Sequence, residues 1–216
     1  MKVERWTRGA ALSLIVVAAA IVVLASGPLL FGANAIDKLT TLFIYVMLAV
    51  TWNALAGYGG LVSVGQQAFF GLGAYFAVRL ADWGVSVFPA LIIAALITGL
   101  LALPISFLML RLREGEFAIG MWVVAEVAHM LVNLDKLVRG ETGTSLIALG
   151  GYEASLRHAL VYWLALAAML AVAGALFALL RSRTGASIQA IRDNEEAAAS
   201  LGVRVLAAKR VLFVLA

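Results

Sequence analysis

Six apolar runs alternate with short polar segments along the 216-residue chain. They lie at about residues 10–30, 39–56, 66–80, 88–110, 117–134 and 158–180, and a further apolar run begins at residue 211. At about 1.5 Å per residue, 18–23 residues cover roughly 27–35 Å, enough to cross a bilayer core. The third run, at about 15 residues, reaches only about 22 Å, so we expect it to take in flanking residues or to stop short of the full thickness. The pattern predicts an all-α polytopic membrane protein with six spans and the start of a seventh.

The first apolar run has two interpretations, because it follows a basic segment and contains the small residues Ala25, Ser26 and Gly27. A secretory signal has these features, but its apolar core usually covers only about 7–15 residues. Since this run is longer and further spans follow it, the pattern favours a first transmembrane helix.

Composition excludes several other classes of protein. Apolar residues make up 64% of the chain and charged residues 13%, and the mean hydropathy is +1.03. Soluble domains are about 45–50% apolar and about 25% charged, so a soluble enzyme, a nucleic-acid-binding domain and a disordered chain are excluded. The chain has no Cys and therefore no disulfide and no thiolate metal site. We expect no cofactor.

Basic residues are unevenly distributed among the predicted loops. With the N-terminus inside, eleven of the 16 Lys and Arg residues fall on the inner side of the membrane and five on the outer side. The positive-inside rule therefore predicts a cytoplasmic N-terminus. Residues 181–208 are then cytoplasmic, and residues 135–157 face outward. The net charge of +4 reflects this topology rather than a surface for nucleic acid.

The predicted cytoplasmic residues 181–208 have the pattern of one amphipathic helix. Thr184 or Ser187 is expected to cap its start, and Gly202 to end it. Charged residues occupy much of its surface, and four apolar residues share one face: Ile188, Ile191, Ala198 and Leu201.

Two kinds of surface suit such a helix, namely lipid and protein. An interfacial helix rests its apolar face on the membrane. However, anionic headgroups would repel the adjacent Glu195 and Glu196. The charge pattern therefore favours a protein partner, with the lipid-bound helix as the alternative.

Glycines are concentrated between the second and third apolar runs, without the spacing of a nucleotide-binding loop. One interpretation is a ridge of small residues, Ala68, Gly71, Ala74 and Ala77, that lets helices approach closely. The other is a helix break beside a translocation path, where irregular backbone is tolerated. The candidates for the path or the packing surface are Gly57, Gly59, Gly60, Gly65, Gln66 and Gln67.

Glu126 and His129 lie inside the fifth apolar run. A charged acid at the centre of a membrane helix costs about 2.5–3.5 kcal/mol, so it usually faces the bundle interior or water. Glu126 is thus either a neutral helix contact or a residue of the translocation path. The Glu-x-x-His spacing also occurs in di-iron proteins, but a di-iron site needs two copies of this motif. The other histidine, His158, has no glutamate three residues before it, so the chain holds no second copy. We expect no metal site.

Several motifs resemble those of transport proteins. Residues 196–202, Glu-Ala-Ala-x-x-x-Gly, resemble the signature of ABC-importer permeases, whose cytoplasmic loop docks on the ATPase subunit. Residues 53–75 are similar to the signature block of LivM-type branched-chain amino acid permeases. Residues 110–119 with Glu126, and then residues 142–147, are similar to later blocks of that family. Gln66 and Gln67 replace the family's usual Gly-His pair, and the outward loop lacks its second glycine and its Asn-Gly.

The resemblance implies a single permease domain over residues 1–216, with a type II ABC-importer-like bundle in a bacterial or archaeal inner membrane. Because the chain stops within an apolar run, we expect it to be truncated at its C-terminus. The implied function is import of branched-chain or similar amino acids by a subunit that is not itself an enzyme. The implied partners are a second permease subunit, cytoplasmic ATP-binding subunits and a periplasmic or extracellular substrate-binding protein. The residues that the resemblance assigns to ATPase coupling are Glu195, Glu196, Ala197, Ala198 and Gly202.

The residues also allow alternatives. A proton-coupled secondary transporter would use Glu126 as a relay, and an intramembrane enzyme would depend on His129. A truncated permease would insert into the membrane without transporting. Urea or another small polar solute is an alternative cargo.

Overall fold

The computed structural model describes residues 8–112, 114–137 and 153–216. Within these ranges the regular structure is helical and contains no strand, which confirms the all-α prediction. The first seven residues, with their basic charges, lie outside the described ranges. So do the outward motif at 142–147 and most of the predicted outward segment 135–157.

The described helices follow the predicted apolar runs. A π-helical turn, Ala54–Tyr58, continues directly from α3. In chain order the α-helices are α1 (Arg8–Ala25), α2 (Gly27–Leu30), α3 (Ala33–Asn53), α4 (Gln67–Asp82), α5 (Val87–Met109), α6 (Glu114–Asn133), α7 (Ala154–Leu180), α8 (Arg183–Asp193), α9 (Glu195–Ser200) and α10 (Val205–Leu215).

Four stretches among the described residues are long and apolar enough to cross a membrane. They are Ala33–Tyr58, Val87–Met109, Gly115–Asn133 and Ser155–Leu180, which match the second, fourth, fifth and sixth predicted runs. The first run corresponds to α1, with 18 residues. The third corresponds to α4, whose 16 residues reach about 24 Å, short of a bilayer core of about 30 Å. A total of six crossings stays a prediction.

The chain divides into two compact units, and two of the three division points fall within the long helices α3 and α7. The first unit comprises residues 1–47 and 152–171. The second comprises residues 48–151 and 172–216.

The first unit has a small core of α3 and α7 side chains, in which the rings of Phe43 and Tyr162 are 5.3 Å apart. The Tyr162 hydroxyl donates to the Leu24 carbonyl at 2.6 Å. The Trp163 indole N–H donates to the Ala25 carbonyl at 2.9 Å. Because the last carbonyls of a helix lack intrahelical partners, these two bonds fix the end of α1 against α7.

The second unit has a larger core, which joins α5, α6, α8 and α10 to the π-helical turn. The Phe213 ring lies edge-to-face against Phe69 and Phe117, at 5.8 and 6.3 Å between centroids. Such aromatic pairs add about 0.5–1.5 kcal/mol each beyond the area they bury. The innermost side chains, each at most 2% exposed, include Phe117, Met121, Leu176, Ile188 and Leu212.

The predicted small-residue ridge does not form a single packing face. Ala77 is fully buried, whereas Gly71 and Ala74 are exposed. At 3.6 residues per turn, a row of residues spaced three apart winds around a helix, and nine residues turn it by about 180°. Ala68 and Ala77 therefore lie on opposite sides of α4. The helix buries Leu72 and Ala77 instead.

Candidate functional site

The predicted cytoplasmic helix is two helices, so the prediction of one continuous helix is wrong. Helix α8 ends at Asp193 and α9 begins at Glu195. Between them Asn194 is extended, with φ −159° and ψ 105°, and its side-chain oxygen accepts the Ala197 N–H at 2.9 Å. Asn competes well for backbone donors at a helix start, which makes it a strong N-cap and a weak interior residue. Residues 181–208 are called the coupling segment below.

The start of α8 also differs from the expectation. Ser182, rather than Thr184 or Ser187, is the N-cap and accepts the Gly185 N–H at 3.3 Å. A side chain at Gly185 would collide with the Leu180 carbonyl, so the chain passes from α7 into α8 only with glycine at this position. Gly202 has φ +85° just after α9, as a helix-terminating glycine should.

Three of the four residues predicted to share an apolar face are buried. Ile188, Ile191 and Ala198 are 1–3% exposed and belong to the core of the second unit. Leu201 is 86% exposed, so the prediction that all four residues share one face is wrong. Because the helix restarts at Asn194 and ends at Ser200, Leu201 lies in the following turn and no longer follows the period of α8.

The residues assigned to ATPase coupling divide between buried and exposed positions. Ala198 is buried, and Glu195 accepts a hydrogen bond at 2.6 Å from the Lys209 ammonium of α10. Glu195 itself is half exposed. Glu196 and Ala197 are exposed in the first turn of α9, and Gly202 is exposed after its end, next to Leu201. This exposed corner comprises Glu196, Ala197, Leu201 and Gly202. It is presented by a segment whose opposite side is packed in the core.

The glycines after α3 do form a helix break. In the π-helical turn the Gly59 N–H lies 3.1 Å from both the Ala54 and Leu55 carbonyls. At Gly60 the chain then turns away with φ +66°, a left-handed conformation that favours glycine. We call Gly57–Gly60 the glycine break. Its role beside a translocation path stays a prediction.

Gly59 and Gly65 allow close contact with neighbouring helices, because neither carries a Cβ atom. A Cβ at Gly59 would meet Leu212 Cδ2 at 2.5 Å and the Leu55 carbonyl oxygen at 2.8 Å. A Cβ at Gly65 would overlap the Met121 carbonyl of α6. The chain therefore lies directly on α10 at Gly59 and on α6 at Gly65, without room for a side chain at either point.

Polar atoms accumulate along the non-helical residues 60–66. The Trp52 indole N–H donates to the Ser63 carbonyl at 3.1 Å. Gln66 donates through Nε2 to the Ala216 carbonyl at 3.0 Å, whereas Gln67 is exposed at the start of α4. The Ser63 hydroxyl and the Gln66 Oε1 atom are buried and have no hydrogen-bond partner among the described residues. Sequence reasoning missed Ser63, a single hydroxyl between Val62 and Val64 that no motif singles out.

Arg192 joins the two predicted sites, although no sequence pattern connects them. Its Nη1 atom donates to the Gly57 carbonyl at 2.8 Å. Its Nε and Nη2 atoms donate to Asp193 Oδ1 at 3.0 and 2.7 Å. The coupling segment is thus bonded directly to the glycine break.

Glu126 lies on an open face of α6. Its side chain is 54% exposed and that of His129 is 65% exposed, with 3.8 Å between Oε1 and Nδ1. Asn133 Nδ2 lies 3.0 Å from His129 Nε2. We call Glu126, His129 and Asn133 the polar stripe. Within the described ranges, no cluster of three His, Cys, Asp or Glu residues could hold a metal ion.

A third polar group joins α4 to the residues that follow α6. The Tyr75 hydroxyl donates to Asp135 Oδ2 at 2.6 Å, and the Leu137 N–H donates to Oδ1 at 3.0 Å. Arg79 Nε lies 3.8 Å from the same carboxylate. The Tyr75 hydrogen bond, then the Leu137 bond, lowers the pKa of Asp135 below its usual value because both favour the charged form.

Comparison with known proteins identifies a family that matches this chain. Residues 34–216 match a family described as "Branched-chain amino acid transport system / permease component". The chain is 28% identical over 215 residues to the high-affinity branched-chain amino acid transport system permease protein LivM of Salmonella typhimurium. The LivM protein of Escherichia coli is 29% identical over 215 residues.

Each alignment covers 86% of this chain and 50% of the relative, so the chain spans about half the length of the curated relatives it matches. No solved structure matches the chain significantly. The family match covers most of the chain, including the glycine break, the polar stripe and the coupling segment. The chain therefore belongs to the family of branched-chain amino acid transport permease components.

Proposed function

We propose that the chain is a membrane-spanning permease subunit of an ATP-driven ABC importer. It carries branched-chain or related amino acids across the inner membrane of a bacterium or archaeon, with its N-terminus in the cytoplasm. The observation that carries the proposal is the exposed corner, which consists of Glu196, Ala197, Leu201 and Gly202. The same segment is anchored in the core through Ile188, Ile191 and Ala198. The names of the relatives support the cargo.

In the proposed mechanism, a displacement of the exposed corner is transmitted to the membrane-spanning helices. Cytoplasmic ATP-binding subunits bind the corner, and their closure displaces α9. Buried Ala198 and the Glu195–Lys209 pair at 2.6 Å connect α9 to α10 and the core. Because a ligand shifts an equilibrium only by its differential affinity, the ATP-bound subunits must bind one position of α9 more tightly than the other.

The remaining partners complete the pathway on the other side. A second permease subunit supplies the facing half, and an outer substrate-binding protein delivers the amino acid. The glycine break together with Gly65, Gln66 and Gln67 is our candidate for the path, since non-helical backbone at membrane depth is tolerated where it lines a cavity. The buried, unpartnered Ser63 hydroxyl and Gln66 Oε1 support this assignment, because they would become hydrogen-bonding sites for a polar cargo when the path opens.

Co-purification with the ATP-binding subunits tests the proposal. Glu196→Arg reverses the corner's charge and Gly202→Pro cannot adopt φ +85°, so both should abolish association while leaving membrane insertion intact. The matched control is Glu153→Arg, the same charge reversal at an exposed residue outside the coupling segment. Wild-type levels of ATPase bound to both corner variants would contradict the assignment.

The polar stripe supports a second candidate, a proton-coupled secondary transporter. A half-exposed Glu126 in a membrane span, 3.8 Å from His129, is the type of site that relays protons. This candidate predicts uptake that survives ATP depletion, collapses with an uncoupler and is lost in Glu126→Gln. Uptake that stops on ATP depletion and continues with the uncoupler present excludes it.

A further inference from the structure

At the glycine break, the Gly57 carbonyl has no hydrogen-bond donor in its own helix and accepts from a residue elsewhere in the chain. Gly57 belongs to the last turn of the π-helical segment, where carbonyls have no following N–H to accept. These terminal carbonyls also carry the partial negative charge of the helix dipole. A guanidinium is well suited to this position, and Arg192 Nη1 occupies it at 2.8 Å.

The Arg192 side chain also fits closely against the turn that follows. Gly60 has φ +66°, and a Cβ there would stand 3.2 Å from Arg192 Cγ. The glycine thus leaves room for the aliphatic stem of the arginine, which covers the turn while the guanidinium bonds to Gly57. A larger residue at position 60 would press on the arginine as well as strain the backbone.

The contact is directional as well as apolar. Around it, Ile188 and Ile191 of α8 share one buried cluster with Ala54 and Leu55 of the π-helical turn. Apolar contacts alone permit sliding, because they have no preferred direction. Arg192 adds one bond to the Gly57 carbonyl and two to Asp193, which fix the orientation of the guanidinium.

We propose that Arg192 is a positioning residue that transmits movement of the coupling segment to the glycine break. When the segment shifts, the end of the span Ala33–Tyr58 is drawn with it, through a bond to the point where that span loses helical structure. π-Helical turns within helices often mark such functional points. The inference rests on the proposed function and adds to it the element that the ATP-binding subunits move.

Transport per ATP hydrolysed, in membranes or vesicles holding the assembled transporter, tests the proposal. Arg192→Gln should keep ATPase association and hydrolysis but lower transport by about tenfold, the effect of losing one charged hydrogen bond. Arg192→Lys keeps the positive charge but loses the planar set of guanidinium N–H donors, so it should give an intermediate ratio of transport to ATP hydrolysis. The control is Arg183→Gln, which removes the same charge from an exposed position of the same helix and should leave the ratio unchanged.

A second readout follows the glycine break itself. The chain has no Cys, so Tyr58→Cys introduces a single thiol at the exposed end of the π-helical turn. With Arg192 present, thiol labelling should change between ATP-bound and nucleotide-free states. With Arg192→Gln added, labelling should become the same in both states.

An unchanged ratio of transport to hydrolysis in Arg192→Gln overturns the proposal. So does loss of ATPase association in that variant, which would place Arg192 in the docking surface instead. If Arg192→Gln does not accumulate in the membrane, a wild-type ratio for Arg192→Lys overturns it equally. Failure of the unaltered chain to bind any ATP-binding subunit would refute the proposed function, and this outcome is separate from the others.

Discussion

The coupling segment and the polar stripe both place charged groups in the second unit, but their surroundings differ. Glu195 pairs with Lys209 from α10, and Arg192 bonds to a carbonyl 135 residues earlier in the chain. The polar stripe instead bonds along its own helix, with residues three and four apart. Glu195 and Arg192 of the coupling segment are therefore part of the tertiary structure, whereas the side chains of the stripe bond only within their own helix.

Energies explain why this difference matters. Side-chain pairs three or four apart on a helix contribute only about 0.2–0.5 kcal/mol. An ionised side chain at the centre of a membrane helix costs about 2.5–3.5 kcal/mol. Intrahelical bonding therefore does not offset the cost of Glu126 against lipid, and we expect this face of α6 to meet protein or water in the assembled transporter.

The largest expected change in stability comes from a substitution that disrupts the packing of the coupling segment. Gly185→Val places a side chain against the Leu180 carbonyl, and we expect a loss of more than about 4 kcal/mol in unfolding free energy. The matched control is Gly115→Val on α6, where a Cβ meets nothing within 4 Å. Its effect should stay within about 0.5 kcal/mol. Thermal unfolding in detergent measures both, and equal losses would contradict the comparison.

A smaller effect of opposite sign is expected at the polar stripe. Glu126→Leu should favour membrane insertion of the segment 115–133 by about 3 kcal/mol, because a charge at mid-span becomes apolar. A glycosylation-mapping assay of that segment reports the insertion equilibrium. Asn133→Leu, at the end of the span, is the control and should change insertion much less. Equal changes would show that depth in the membrane does not set the cost.

The smallest expected change in stability tests the role of Asn194 in separating α8 from α9. Asn194→Ala removes the cap that accepts the Ala197 N–H at 2.9 Å, at an expected cost of about 1 kcal/mol. Asn194→Asp keeps a good capping residue and should be nearly neutral. Denaturant midpoints of the two variants in one detergent provide the measurement. A neutral Asn194→Ala would mean that burial of Ala198 alone positions α9.

Much of the fold was predictable because helix length and apolar character in a membrane are local properties. The second, fourth, fifth and sixth runs coincide with long apolar helices, and the glycines at 57–60 do end a helix. The division at Asn194 was also within reach, since Asn followed by Glu195 and Glu196 is a helix-start pattern. Continuing the apolar period across Asn194 placed Leu201 on the face of Ile188 and Ile191, where it does not lie.

Other features depend on contacts that no local pattern encodes. The bond between Arg192 and Gly57 joins positions 135 residues apart. Ala68 and Ala77 match a small-residue spacing, but only Ala77 is fully buried, because spacing by three does not keep to one side of a helix. The exposure of Glu126 likewise follows from which helices surround α6, not from its own sequence.

The long separation between Gly57 and Arg192 also has a consequence for biosynthesis. A ribosome adds about 5–20 residues per second, so roughly 7–27 s pass between synthesis of the glycine break and of the arginine that bonds to it. Leu212, which packs against Gly59, follows later still. During this interval the end of the span Ala33–Tyr58 lacks the partners that hold it in the finished chain. The glycine break is thus among the last parts of the second unit to acquire its final structure.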